Sequence, residues 1–376
     1  MNDQHYFVTA AKGVEELLAA ELRGLGIGDV RPETGGVRFS GDRSVCYRAG
    51  LWLRTASRIL VTLGEFPCDT PQRLYDGVRA FDWGRRLTPD MTLAVDCVLR
   101  DSAMTHSGFV ALKTKDAIVD AIRDRCGRRP NVDVRDPDLR VNVHLVKNRC
   151  TVSLDASGSP LDRRGYRLDR TEAPLRETLA AALVMLTGWD GTVPLVDPMC
   201  GSGTIPVEAA LMGARRAPGL LGRRYGFQRW PDYDPGIWKR LTEEARQAAL
   251  DAVPAPVIGC DRSGTALETA RRNCDRAGVT TSVTLHRSDM REFLPPAGPG
   301  ILLVNPPYGQ RLGEEEALQT LYREIGDTLK KRYTGYTAFL LTGSRDLAKH
   351  VGLRATRRIV LFNGPIECRL LRYEMY

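Results

Sequence analysis

At 376 residues and roughly 150 residues per domain, the chain is two or three domains, not one small binding module. Its 43% hydrophobic and 27% charged composition is ordinary globular usage and excludes wholesale disorder. Basic residues exceed acidic ones by eight, and 46 of the 54 are Arg, whose planar fork suits phosphate contact and base stacking; a GC-rich genome enriches Arg regardless of function, so clustering has to carry any nucleic-acid argument.

In chain order, Tyr6 to Thr9 reads as a strand and Gly13 to Leu25 as an amphipathic helix, whose Glu15, Glu16 and Glu21 do not fit a secretory signal. A strand or hairpin at Gly35 to Phe39, a helix over about 42–56 and a strand from Arg58 to Leu63 complete an α+β unit, placed at 1–65. A second α+β unit, placed at 66–156, has a strand from Thr92 to Leu99, a helix from Lys113 to Cys126, and strands at 140–145 and 149–154. Ser157-Gly158-Ser159-Pro160 signals a loop, and a basic, aromatic connector occupies 157–173.

From Pro174 to Tyr376 the pattern alternates: helix 174–186, strand 193–197, helix 205–213, strand 257–261, helix 265–277, strands 282–287 and 300–305. Helix 315–333, strand 336–341, helix 345–351 and strand 356–362 continue it. Such alternation predicts an α/β, doubly wound and mostly parallel sheet. Apolar runs such as Ile301 to Val304 fall far short of the ~18 to 20 residues that span a membrane, and a cytoplasmic location is expected. The nine cysteines contain no C-x-x-C and have no neighbouring His pair, so neither a disulfide framework nor a metal site is expected.

Val193 to Thr204 is an apolar strand ending in Asp197 that opens through Pro198-Met199-Cys200-Gly201-Ser202-Gly203-Thr204 into a helix. The glycines permit tight backbone angles at a strand's carboxyl end, where open α/β sheets bind ligands. Pro206 replaces the third glycine of the dinucleotide fingerprint and Thr204 offers a helix cap, so an NAD-cradling loop is disfavoured. The next strand ends in Asp261, followed by Arg262; that carboxylate suits a ribose diol, or caps the following helix in competition with Ser263. Ser288-Asp289-Met290 then offers a carboxylate and a side chain able to pack an adenine face.

The sharpest signal is Asn305-Pro306-Pro307-Tyr308-Gly309 after four apolar residues. Two prolines preset φ and remove two donors. The Asn305 side-chain oxygen and the proline carbonyls can then converge on one planar NH2 group, with Tyr308 stacked beneath the ring that bears it. A plain Pro-Pro turn is the bland alternative.

On these residues the chain resembles the S-adenosylmethionine-dependent amino-methyltransferases. Asp197 to Thr204 looks like their cofactor loop, Asp261 with Arg262 like the ribose site, Ser288, Asp289 and Met290 like the adenine side, and Asn305, Pro306, Pro307 and Tyr308 like the catalytic motif. The strands 357–362 and 369–374 around Asn363-Gly364-Pro365 resemble the family's terminal hairpin with its antiparallel last strand. Together with the two α+β units, the connector Arg163-Arg164-Gly165-Tyr166-Arg167 and Ala173-Pro174-Leu175-Arg176-Glu177, they resemble the THUMP-containing RNA guanine-N2 methyltransferases. That resemblance implies a ferredoxin-like unit and a THUMP domain ahead of a Rossmann-like class I methyltransferase domain at 174–376.

The segment from Ala217 through Trp230 to Trp238 is most similar to the bacterial 23S rRNA branch, with the tRNA branch left open. Some members of the rRNA branch carry a second fused methyltransferase, and its activity is not expected here. The resemblance further implies S-adenosylmethionine as cofactor, RNA as partner, no membrane and no obligate protein partner. Methyl transfer would go to the N2 of a guanine turned out of its stack, with Asn305 and the Pro306 carbonyl accepting from the amine and Tyr308 holding the ring.

Gly203 and Asp261 lie 58 residues apart instead of the usual ~20. The intervening insertion carries Arg215, Arg216, Arg223, Arg224 and Arg229 interleaved with Tyr225, Phe227 and Trp230. It reads either as phosphate contact with base stacking or as an aromatic cover over the sheet with solvated arginines outside. Arg163, Arg164, Tyr166, Arg167, Arg223 and Arg224 are the expected RNA contacts. Rival readings are adenine N6 or a glutamine amide as methyl acceptor, and an RNA-binding or ribosome-assembly factor with a vestigial pocket. A phosphate-binding G-x-x-x-x-G-K-[ST] loop is absent from the sequence.

Overall fold

A computed structural model describes residues 4–167, 175–308 and 315–376; Ala173, Pro174, Gly309 and the last part of the connector lie outside the described residues. The N-terminal half contains β1 (Gln4–Ala10), α1 (Glu15–Gly24), β2 (Arg31–Glu33), β3 (Gly36–Gly41), α2 (Arg43–Trp52) and β4 (Ala56–Pro67). It continues with α3 (Pro71–Arg79), β5 (Thr92–Arg100), α4 (Ser107–Cys126), β6 (Asn131–Val132), β7 (Leu139–Val146) and β8 (Arg149–Asp155). The eight strands form one sheet in the order β2-β3-β1-β4-β8-β7-β5-β6.

The expected division at 65/66 therefore falls inside β4, whose first part pairs with β1 and whose second part pairs with β8. The register shifts between Thr62 and Gly64, where a Cβ on Gly64 would sit 2.8 Å from the Phe81 ring. The α4 helix starts six residues before the expected Lys113, because His106 caps it by accepting the Phe109 amide at 2.9 Å. Phe109 and Leu112 are exposed, so apolar periodicity gave no sign of that first turn.

The C-terminal half contains α5 (Glu177–Leu186), β9 (Leu195–Asp197), α6 (Thr204–Gly213), α7 (Pro235–Gln247), β10 (Val257–Asp261), α8 (Gly264–Arg276), β11 (Val283–Arg287) and β12 (Gly300–Val304). It ends with α9 (Glu315–Arg332), β13 (Tyr336–Thr342), α10 (Arg345–His350), β14 (Arg357–Asn363) and β15 (Ile366–Glu374). Its sheet runs β11-β10-β9-β12-β13-β15-β14, with β15 antiparallel to both neighbours and the first five strands parallel. The inner parallel strands β10, β12 and β13 are near-continuous apolar runs, as expected of strands covered on both faces, whereas the edge strand β11 (Val283–Arg287) is half exposed. Asp197, Asp261 and Asn305 consequently meet at one carboxyl edge. No helix among the described residues is long and apolar enough to cross a membrane.

The insertion between α6 and β10 is an aromatic cover, but of the other half of the molecule. Tyr225, Phe227 and Trp230 are buried in one core with Tyr47, Ala49 and Leu51 of α2. The Phe227 ring stacks on Tyr47 with centroids 4.3 Å apart, and Tyr225 donates its hydroxyl proton to the Gly50 carbonyl at 2.6 Å. Gly219 makes this approach feasible, since a Cβ there would lie 2.6 Å from the Leu51 Cα.

A polar cluster buried at the same junction corrects several expectations. Glu208 of α6 has no exposed surface; Arg164 Nε lies 2.9 Å from its Oε1, and the Tyr166 hydroxyl donates to that oxygen at 2.9 Å. Arg164 also donates to the Arg54 carbonyl at 2.6 Å, while the Arg54 guanidinium donates to the Arg216 carbonyl at 2.9 Å. Arg167 donates to the Leu175 carbonyl and faces Glu177, and Arg223 donates to the carbonyls of Ser157, Ser159 and Pro160. Arg164 and Tyr166, 2% and 1% exposed, are turned inward and offer no surface to an RNA. Arg167 and Arg223 are only partly buried, and Arg223 shares a cavity wall with Arg163 and Arg224.

Removing the acceptor at the centre of this cluster should be costly. Glu208→Ala leaves the Arg164 cation buried and unpaired, and is expected to lower unfolding free energy by about 3 to 5 kcal/mol. A urea titration reads this as a lower midpoint at unchanged slope, and a midpoint within error of the parent would show that the cluster carries no such load.

Candidate active site

The loop after β9 is held by its backbone. The Cys200 amide donates to the Cys260 carbonyl at 2.8 Å, and Gly203 donates to the Cys200 carbonyl at 2.8 Å. Gly201 (φ 53°) and Gly203 (φ 78°) are left-handed, a conformation that costs residues with a Cβ. At Gly203 a Cβ would also meet that of Ala270 at 2.9 Å, so this position needs glycine twice over. Gly203 itself caps α6, and Thr204 makes no side-chain cap. The Asn273 side-chain amide of α8 donates to the Ser202 carbonyl at 2.9 Å, which fixes the loop from the outside.

Asp261 braces the same loop. Its Oδ2 accepts the Gly201 amide at 2.9 Å and its Oδ1 accepts the Ser263 amide at 2.8 Å. Ser263 caps α8, which settles the competition left open by the sequence and leaves Asp261 on a cavity wall. That cavity, of about 180 Å³, is lined by Pro198, Met199, Asp261, Arg262, Ser288, Asp289, Met290 and Pro307, with Arg291, Leu321 and Glu324. Carboxylate, hydroxyl and thioether groups from the ends of successive parallel strands converge there. This is the chemistry needed to grip a nucleoside by its diol and its flat face.

Arg291 was not anticipated. Its guanidinium takes both Asp289 oxygens at 2.9 Å and reaches Glu324 at 3.0 Å. The hydrogen bond to Arg291 holds the Asp289 carboxyl below the ordinary aspartate range. Asp197 moves the other way: burial, with a smaller contribution from the Asp261 charge, pushes its carboxyl up to about 8, against the Met199 amide that stabilises the anion. Burial of this kind favours the protonated carboxyl at neutral pH.

On the far side of the loop, Asn305 closes β12. Its Oδ1 is buried and accepts no hydrogen bond, an unmet acceptor of the kind that folded proteins seldom keep without a use. Pro306 is buried beside it, and Pro307 reaches the cavity wall. Tyr308 is half-buried, and its hydroxyl accepts from the Asn363 side-chain amide at 2.8 Å. Among the expected RNA contacts, Arg163 and Arg224 are exposed. They line a second cavity of about 470 Å³ together with Arg135 and Arg229, at the junction of β8, the connector and the insertion.

Comparison with known proteins places these features in a family. Residues 164–372 match the family described as RMKL-like, methyltransferase domain. Residues 68–155 match the THUMP domain and 5–60 the RlmL ferredoxin-like domain. A Ribosomal RNA large subunit methyltransferase K/L of Methylococcus capsulatus is 45% identical over 98% of this chain, and the chain spans about half (51%) of that relative's length. The Synechocystis protein slr0064, which carries the assignment RNA methyltransferase, is 41% identical over 99% of this chain and 97% of its own. The crystal structure of SMU.472, described as a methyltransferase complexed with SAH, superposes with a TM-score of 0.91 at 32% identity over 100% of this chain and 99% of that one. A Listeria monocytogenes structure described as an N6-adenine-specific DNA methylase by prediction also reaches 0.91, at 33% identity over 100% of this chain and 97% of that one.

The Asp197 shift fixes a pH dependence. Its folded value of about 8 lies above that of an unfolded aspartate, near ~3.9. The associated stability is full below the unfolded value and is lost as pH rises through the folded one. Asp197 should therefore contribute a stability that falls between about pH 4 and pH 8, so the difference in Tm between the parent and Asp197→Asn should change over that range. Parallel pH profiles for the two proteins would show that Asp197 makes no such contribution.

Proposed function

The chain belongs to the RMKL-like methyltransferase family, and on that premise we propose that it transfers the methyl group of S-adenosylmethionine to the exocyclic N2 of a guanine in large-subunit ribosomal RNA. The observation that carries this reading is the buried, unpartnered Oδ1 of Asn305, two residues before Pro307 on the cavity wall. An NH2 group is the donor that such an oxygen lacks. A match to the THUMP domain and the names of the K/L relatives support RNA, and ribosomal RNA, as the acceptor. A cytoplasmic location follows from that substrate.

The residues present fit the cofactor. Asp261 faces the cavity as a carboxylate braced by two amides, suited to a ribose diol, and Ser288, Asp289 and Met290 offer polar edges and an apolar surface to the adenine. When bound, S-adenosylmethionine supplies an electrophilic methyl on a cationic sulfur.

Asn305 and the Pro306 carbonyl accept from the target amine and orient its nitrogen lone pair toward the methyl group. Tyr308 offers its ring to the base. Catalysis is positioning, and the product nitrogen sheds its proton to a carbonyl or to water, so no strong base is required. The same holder accepts any planar NH2, and the adenine-directed name of the Listeria relative makes adenine N6 the second reading. Nucleoside analysis separates the two.

The decisive assay supplies radiolabelled S-adenosylmethionine with separate pools of large-subunit rRNA, tRNA and DNA. Label should appear as N2-methylguanosine in the rRNA; label in tRNA guanine moves the substrate to the sister branch, and label in adenine overturns the acceptor. Asn305→Ala should cut transfer by a factor of about 10² or more while calorimetry finds cofactor affinity unchanged, whereas Asp261→Ala should weaken the cofactor itself. Equal affinity loss in both would refute this division.

For RNA approach, Arg163 and Arg224 are the expected contacts that remain exposed. Changing both to Ala should weaken RNA binding and flatten its dependence on salt, since each phosphate contact contributes about 0.7 to 0.9 to the log–log slope. An unchanged slope would return both arginines to ordinary solvated surface.

A further inference from the structure

We infer that Asn363, at the end of β14, is a positioning residue for methyl transfer that acts through the hydroxyl of Tyr308. The inference rests on the reading of Asn305 to Tyr308 as the acceptor site. A tyrosine that stacks on a base is free to slide unless something holds its tip. Here the tip is held from outside the motif, because the Asn363 side-chain amide donates to the Tyr308 hydroxyl at 2.8 Å. The hydroxyl therefore belongs to the terminal hairpin, and the ring is what remains for the acceptor.

The ring has been given a fitted seat. A Cβ on Gly343, just past β13, would lie 2.9 Å from Tyr308 Cδ2 and 3.1 Å from the Ile366 side chain, so the absent side chain at 343 is the space the ring uses. Asn363 and Ile366 pair as the last register of the β14–β15 hairpin, which brings the polar tether and the apolar wall to Tyr308 from one turn. The hairpin is backed by the N-terminal half. Lys12 Nζ lies 4.8 Å from the centre of the Phe362 ring, and a Cβ on Gly13 would lie 2.7 Å from the Val360 carbonyl. The residue that orients the stacking ring thus sits on a strand pressed by the RNA-binding half of the molecule.

A double-mutant cycle tests this. Both Asn363→Ala and Tyr308→Phe remove the Asn363–Tyr308 hydrogen bond, and Tyr308→Phe also removes the hydroxyl's contact with Cys368. Asn363→Ala should therefore lower kcat by about tenfold, the net worth of one such bond, and Tyr308→Phe by at least as much. Cofactor affinity should hold, and the double variant should be no worse than Tyr308→Phe alone. Losses that multiply to about a hundredfold would overturn the coupling.

Fluorine NMR of protein carrying 3-fluorotyrosine gives a readout independent of turnover, with the Tyr308 signal assigned by its loss in Tyr308→Phe. Asn363→Ala should shift or split that signal at an unchanged fold, and an unaltered signal would overturn the proposal whether or not the RNA substrate has been identified. If Asn305→Ala proves fully active, the acceptor reading fails. If it is inactive while the cycle is additive, only the role of Asn363 fails.

Discussion

Glu208 is an acid with no access to water, and the joint between the two halves of the molecule is built around its Oε1. Isolated, such a charge would cost many kcal/mol; here Arg164 and Tyr166 come from the connector to meet it, and Arg164 in turn binds the carbonyl of Arg54 in the N-terminal half. The helix that carries Glu208 is the one that springs from the glycine loop of the candidate site. One buried pair therefore ties the glycine loop, the connector and the N-terminal units to a common geometry. A hydrophobic replacement could be as stable, but it would not specify which arginine meets which helix turn.

The insertion between α6 and β10 supplies the apolar half of the same joint. Its aromatic residues leave their own sheet and enter the core of the N-terminal units, where Phe227 stacks on both Tyr47 and Tyr225 and Trp238 meets all three edge-on. The unusual spacing between Gly203 and Asp261 is thereby explained without any direct role in binding the cofactor. Two of the insertion's five arginines serve this joint as well. Arg223 ties down the loop after β8, and Arg229 pairs with Asp136.

The candidate site has two sides with opposite physical characters. On the cofactor side, acceptors are crowded and tied: Asp261 by two amides, Asp289 by Arg291. On the acceptor side, Asn305 is left wanting a donor and Tyr308 is fastened by its hydroxyl at the hairpin. A pre-tied binding half and an unsatisfied acceptor half suit a reaction in which the protein aligns two partners and performs little acid–base chemistry of its own.

The catalytic half was legible because its signals are local. Apolar runs of four or five residues, each ending in Asp or Asn at the carboxyl end of a parallel strand, announce both the sheet and the edge where ligands bind. Glycines at 201 and 203 and the prolines at 306 and 307 carry their backbone constraints wherever they stand. What the sequence could not determine was the destination of each long polar side chain. Arg163 and Arg164 are neighbours of identical type, yet one faces solvent and the other is buried against Glu208, 44 residues away in the chain. Asn363 lies 55 residues from Tyr308. A guanidinium or an amide takes its role from whatever the fold brings to its tip, and periodicity along the chain holds no record of that. Tertiary structure alone decided which arginines join the two halves and which residue holds the tyrosine.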